Sequence, residues 1–169
     1  MQRRHWLGTL SAASLVLAAA GCGFRLRGVP NFAFQSIYVN LPESSSLGAE
    51  LKRTLASNRA LRVISDPQQM LQADVILDAT ADQREKTVAG TSAAGQVREF
   101  QLRVRFSFRL RSPKGKELIP LAELLQQREI SFTESSVLAK EAEEGLLYRD
   151  MQSDIVQQVM RRLAALSSL

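Results

Sequence analysis

Two side chains that carry much of enzyme chemistry are nearly missing from this sequence. Its 169 residues hold one histidine, His5, and one cysteine, Cys22. Residues 1–21 read as a cleaved leader, so the mature chain keeps no histidine, and its only thiol stands at its first position. Ser-His-Asp and Cys-His nucleophiles are thereby excluded, as are zinc sites built on His or Cys. A lone cysteine also forbids any internal disulfide, so stability must come from packing. Neither a phosphate-binding G-x-x-x-x-G-K-[ST] nor a dinucleotide G-x-G-x-x-G is present. Carboxylate, lysine or tyrosine chemistry leaves no signature either. The expectation is a binding protein with no catalytic residue, no metal and no cofactor. Without the leader the chain has 20 basic and 17 acidic residues. That mild excess does not indicate a nucleic-acid partner.

The leader is the most legible part. Arg3, Arg4 and His5 form a basic start, and Trp6 to Ala20 is apolar or small, with Leu7, Leu10, Leu15, Val16 and Leu17 as its bulky members. A spanning helix needs about 20 predominantly apolar residues. This shorter, Ala/Ser-rich run instead fits the hydrophobic region of a secretory signal, with small residues before the cut. Ala19-Ala20-Gly21 followed by Cys22 resembles the lipobox of bacterial lipoproteins, with Ala19 where Leu is usual. Cys22 is therefore the expected lipidation site, and the mature domain is expected to be membrane-anchored.

Beyond it, residues 36–41 alternate, with Ile37, Val39 and Leu41 on one face, as a strand does. After Pro42, Ser44-Ser45-Ser46 offers helix caps, and Leu47, Leu51 and Leu55 form the stripe of a short helix. Leu61–Ile64 is a possible strand stub before the turn at Asp66-Pro67. Residues 73–89 and 97–111 read as a long hairpin around the loop 90–95. In its second arm Phe100, Leu102, Val104, Phe106, Phe108 and Leu110 keep a period of two. In the first arm the same alternation sets Asp78, Thr80 and Asp82 on one face. A further strand fits residues 126–133, although Leu121–Gln127 alone also suits a helix. From Ala139 the period becomes 3.6, with Leu147, Met151, Ile155, Val159, Leu163 and Leu166 on one stripe. An α+β two-layer sandwich follows: a mostly antiparallel sheet of about four strands with two helices packed on one face. The organisation is a leader at 1–21, a lipidated segment at 22–35 and one domain at 36–169.

The polar face of residues 97–111 carries Arg103, Arg105, Arg109 and Arg111. Alternate side chains on a strand lie about 6.6–7 Å apart, so these guanidiniums repel one another and favour anions, phosphate above all. The bland alternative is a solvated face balanced by acids such as Asp78, Asp82 and Glu129. Lys114 and Lys116 flank a turn glycine and suit a solvated turn. Asp74, Asp78 and Asp82 are too widely spaced along a strand to coordinate a metal.

Cys22-Gly23-Phe24-Arg25-Leu26-Arg27 resembles the opening of the LptE family of LPS-assembly lipoproteins. Glu99-Phe100-Gln101-Leu102, Leu138-Ala139-Lys140 and the Arg149-Asp150 pair in the last helix are similar in kind. The resemblance implies an outer-membrane lipoprotein on the periplasmic side that binds lipopolysaccharide and plugs the β-barrel protein LptD. It makes Lys140 a candidate LPS contact beside the arginine stripe. Its hairpin tip, Thr91–Gly95, lacks a basic residue, leaving Arg98 or Arg103 to substitute. Gly23 after the cysteine is compatible with outer-membrane sorting. An adaptor lipoprotein that never touches LPS is the alternative.

Overall fold

The computed structural model describes residues 31–132 and 137–169; Cys22 and the leader lie outside them. Strand β1 (Ser36–Asn40) leads into helix α1 (Ser46–Ala56) and the short strand β2 (Arg62–Ile64). A 3-10 turn at Pro67–Gln72 then precedes three long strands, β3 (Val75–Thr91), β4 (Val97–Arg111) and β5 (Glu117–Ser131), and helix α2 (Val137–Ala164). The sheet order is β2-β1-β3-β4-β5. β1 pairs in parallel with both β2 and β3, whereas β3, β4 and β5 form an antiparallel meander. The α+β sandwich is as the sequence indicates, with the three-residue β2 making a fifth strand. Leu121–Gln127, which also suits a helix by sequence, is strand along its whole length.

Local sequence accounts for the elements. Ser45 caps α1, its Oγ accepting from the Gly48 amide at 2.8 Å, a cap of about 1 kcal/mol. Leu47, Leu51 and Leu55 are fully buried, each contributing roughly 1.5–3 kcal/mol. A Cβ on Gly48 would stand 3.1 Å from both Leu41 Cβ and Ser45 Oγ, so a larger residue would require these neighbours to shift by a few tenths of an ångström. α2 buries Met151, Ile155, Val159 and Leu163 on the same sheet face, against Leu102, Val104, Phe106, Phe108 and Leu110. The other face is not bare. Met70, from the 3-10 turn, packs against a small second cluster of Tyr38, Ile64, Ala73 and Ile76.

One irregularity redirects half of β3. Ala79 pairs with Phe108 but Ala81 pairs with Ser107, leaving Thr80 as a bulged residue. An extra residue in a period-two chain turns every later side chain to the opposite face. Asp82, Arg84, Lys86 and Val88 therefore stand opposite Phe106, Val104, Leu102 and Phe100, on the helix side. Sharing a face with Asp78 fails for Asp82 for this reason.

Two ends of the domain can be told apart. At the base lie the starts of β1 and β3, the end of β4 and the turn 112–116. At the tip lie the hairpin loop 92–96 and the start of α2. Because Glu144, Tyr148 and Gln152 meet Lys86, Glu85 and Arg84 in turn, α2 runs from tip to base.

Candidate basic sites at the tip and on the arginine face

The four stripe arginines share the sheet face opposite the helices, but they do not form one uniform site. Arg109 and Arg111 both reach Asp78, at 3.4 and 2.6 Å. Asp78 is only 8% exposed and also accepts from Asn40 Nδ2 at 3.1 Å. Burial on its own would raise the carboxyl's pKa. Hydrogen bonds from Arg111 and Asn40, together with the charges of Arg111 and Arg109, outweigh burial and hold the carboxyl below its ordinary value. These two arginines thus share one carboxylate within the fold, which offsets half of their charge. Higher up, Arg103 stands between Glu85 and Gln127 on the neighbouring strands, and its Nε donates to Gln101 at 2.7 Å. Arg105 stands between Gln83 and Leu125, and its buried Nε has no hydrogen-bond partner among the described residues. Glu129 shares this face opposite Gln101 without forming an ion pair. The polar face therefore has a partly compensated lower half, with Arg103 and Arg105 above it in no ion pair among the described residues.

At the tip, the bulge brings together residues that the sequence keeps far apart. Lys86 Nζ forms an ion pair with Glu144 at 2.6 Å and lies 4.4 Å from the centre of the Phe100 ring. Lys140, in the first turns of α2, donates to Ser131 Oγ at 3.1 Å and pairs with Glu143 at 2.8 Å. Both lysines line a small recess of about 70 Å³ with Phe100, Ile130 and Phe132. Phe100 and Phe132 meet edge to face at 5.4 Å. The Phe132 amide donates to the Arg98 carbonyl at 2.8 Å, which sets the Arg98 backbone beside this recess, whereas Arg103 faces the other side of the sheet. Glu141 and Glu144 line the same recess. Lys86 over the Phe100 ring with Lys140 nearby suits a ligand whose phosphate groups, beside apolar matter, displace these acids from the lysines. Enclosed space of this size is only a few water volumes, so a larger ligand would lie across the mouth.

Below the recess, the upper helix face of β3 is polar. Ser45 donates to Asp82 at 2.6 Å, and Arg84 bonds Ser46 Oγ at 2.6 Å and Gln152. Gln152 continues to Glu50, so the network crosses from β3 through α2 to α1. Lys86 is the residue that sequence reading missed, because nothing at Thr80 announces a bulge.

The family model for lipopolysaccharide-assembly proteins, LptE, matches residues 34–163, which include β1 to β5 and nearly all of α2. The chain belongs to the LptE family. A curated LPS-assembly lipoprotein LptE of Pectobacterium atrosepticum is 26% identical over 165 residues, covering 97% of this chain and 88% of that protein. Its counterpart in Yersinia pestis (strain Pestoides F) is 27% identical over 161 residues, covering 95% and 76%. Among solved structures, the solution structure of a lipoprotein B from Nitrosomonas europaea superposes with a TM-score of 0.71 at 35% identity, covering 85% of this chain and 91% of that one. The rare lipoprotein B of Shewanella oneidensis shares the fold, with a TM-score of 0.61 at 17% identity over 77% of this chain and 94% of that one. As an LptE-family member the chain is an LPS-assembly lipoprotein of the cell envelope.

Proposed function

We propose that this LptE-family chain is a non-enzymatic outer-membrane lipoprotein. It is anchored through Cys22 on the periplasmic side, binds lipopolysaccharide and forms a plug and assembly complex with the β-barrel LptD. The observation that carries the LPS-binding part is the convergence of Lys86 and Lys140 with Phe100 and Phe132 around one recess. A phosphorylated glycolipid has the anionic groups and adjoining acyl matter that such a set recognises. Lys140 holds its carboxylate partner loosely, three residues along one exposed helix turn, and exposed pairs of this kind are worth little. Exchange of Glu143 for a lipid phosphate is therefore inexpensive. Arg103 and Arg105, outside any ion pair on the opposite face, suit a polar, enclosed barrel lumen.

Replacing Lys86 and Lys140 together by alanine is expected to weaken LPS binding at least tenfold, about 1.4 kcal/mol, with the melting temperature nearly unchanged. Binding as tight as wild type would remove LPS recognition from this recess. For the barrel, affinity capture of the tagged lipoprotein from solubilised envelopes is expected to recover LptD at near-equal stoichiometry. Recovery of the lipoprotein alone would count against the plug role.

A further inference from the structure

We infer that the base of the domain is a second, separate binding surface, which rests on an anionic phospholipid leaflet. Six exposed cations lie towards it from two connections and one helix end: Arg59 before β2 and Arg62 at its start, Lys114 and Lys116 in the β4–β5 turn, and Arg161 and Arg162 in the last turn of α2, which runs from tip to base. The strand registers place the two connections at one end. Ser36 lies beside Arg62 and Ile37 beside Val75, while Ile76 faces Arg111 and Arg111 faces Glu117. None of the six is in an ion pair among the described residues.

Acids at this end do little to offset them. Asp74 accepts from the backbone amides of Gln35 and Ser36, at 2.9 and 2.8 Å, and its charge acts on Arg62; with Glu117 at the start of β5, it sets two acids against six cations. Asp78, slightly higher, is shared by Arg109 and Arg111. At the tip, by contrast, Glu141, Glu143 and Glu144 accompany the two lysines.

The chain also enters at the base. Phe34, just before β1, is buried in the core, so the described chain begins beside the base. Eight residues separate Cys22 from Asn31, so the nine steps between them reach at most about 32 Å. Resting on the reading of Cys22 as the lipid anchor, that reach keeps the base near the leaflet, and Arg25 and Arg27 lie in the same segment. Attraction between basic side chains and an anionic surface acts within about a Debye length, 8–10 Å at physiological salt. A tether of this length lets the patch reach that zone, and the attraction itself then holds it there. The lipid thus supplies residence at the membrane, and the base supplies orientation, with the tip directed away.

The test uses the unlipidated mature chain from Gly23, which contains every described element and core residue, and vesicles free of LPS. Binding to vesicles of phosphatidylcholine with about 30% phosphatidylglycerol is expected to exceed binding to pure phosphatidylcholine at least tenfold at low salt, and to fade as salt shortens the Debye length. Arg59, Arg62, Lys114, Lys116, Arg161 and Arg162 all replaced by Gln should abolish that preference. The milder pair Lys114→Gln and Lys116→Gln should reduce it several-fold with unchanged melting. Equal binding to both vesicle types, or a preference that survives all six substitutions, overturns the inference. Lys86→Ala with Lys140→Ala should leave vesicle binding intact. Loss of LPS binding in that variant beside normal vesicle binding supports both surfaces; LPS binding that persists overturns the tip alone, and vesicle binding that is lost overturns the base. Mass spectrometry of the envelope-purified protein tests the Cys22 lipid on its own.

Discussion

Phe106→Ala is expected to destabilise the protein by about 3–5 kcal/mol, the usual cost of emptying a large aromatic site in a packed core. Phe106 is 0% exposed and stacks on Phe108, with ring centres 5.7 Å apart and planes 22° from parallel. It stands on the central strand of the meander, across from Leu124 on β5 and from Asp82 on β3. The neighbours cannot close the void, because β4 is held on both sides by strand pairing and the helices above it are fixed by Leu51, Leu55, Ile155 and Val159. Small domains have total stabilities of about 5–15 kcal/mol, and this one has no internal disulfide to fall back on. The loss should appear as a fall in melting temperature of about 10–15 °C and a much lower urea midpoint. Leu125→Ala, on the outer face of β5 and 46% exposed, is the control and should change stability by under about 1 kcal/mol. A Phe106→Ala protein that melts with the wild type would mean that the two-layer core is wrongly described.

Asp78→Ala is expected to cost about 2–3 kcal/mol at neutral pH. Removing one partner of a buried ion pair leaves its cations uncompensated, at 3–5 kcal/mol where burial is complete. The lower figure allows for Arg109, whose side chain is about half exposed. The same carboxyl gives the protein an acid-sensitive component. Its native pKa lies below the ordinary value of 3.8, so the native state binds fewer protons than the unfolded chain. Its contribution is therefore full above pH 3.8 and drains away as pH falls towards the native value. Asp74, lowered despite burial by the Gln35 and Ser36 hydrogen bonds, acts in the same sense. Wild-type urea midpoints should fall as pH drops below about 4, and Asp78→Ala should show a shallower drop from a lower start. Parallel pH profiles for the two proteins would show that Asp78 does not carry the linkage.

The parts of the fold that read directly from sequence are those in which one face is buried without interruption. The run Phe100 to Leu110 is regular because α1 and α2 cover that face of β4 along most of its length, and the stripe from Leu147 to Leu163 is the matching helix surface. β5 is harder to read. It is an edge strand whose helix-side positions include Gln126 and Arg128 beside Leu124 and Ile130, so its period of two is diluted. β2 is three residues long and gains its place from parallel pairing with β1, which no local pattern encodes. Of the tip site, Lys140 was reachable only through the family resemblance. Lys86 was out of reach because its face depends on the bulge at Thr80, a backbone choice that leaves no mark in the side-chain pattern. The arginine stripe was visible as a row of charges. That Asp78 would take two of the four depended on strand register.

The placement of β1 bears on how the domain carries mechanical load. The segment leading to Cys22 joins the chain at the start of β1, an inner strand paired on both sides. Tension along that segment pulls β1 lengthwise, so its bonds to β2 and β3 are strained together in shear rather than opened one at a time. The junction has its own clasp: Asp74 accepts from the Gln35 and Ser36 amides, and the Asp74 amide donates back to Ser36 Oγ at 2.9 Å. If the proposed anchor at Cys22 pulls on this segment, the domain yields last at the strand to which the segment is joined.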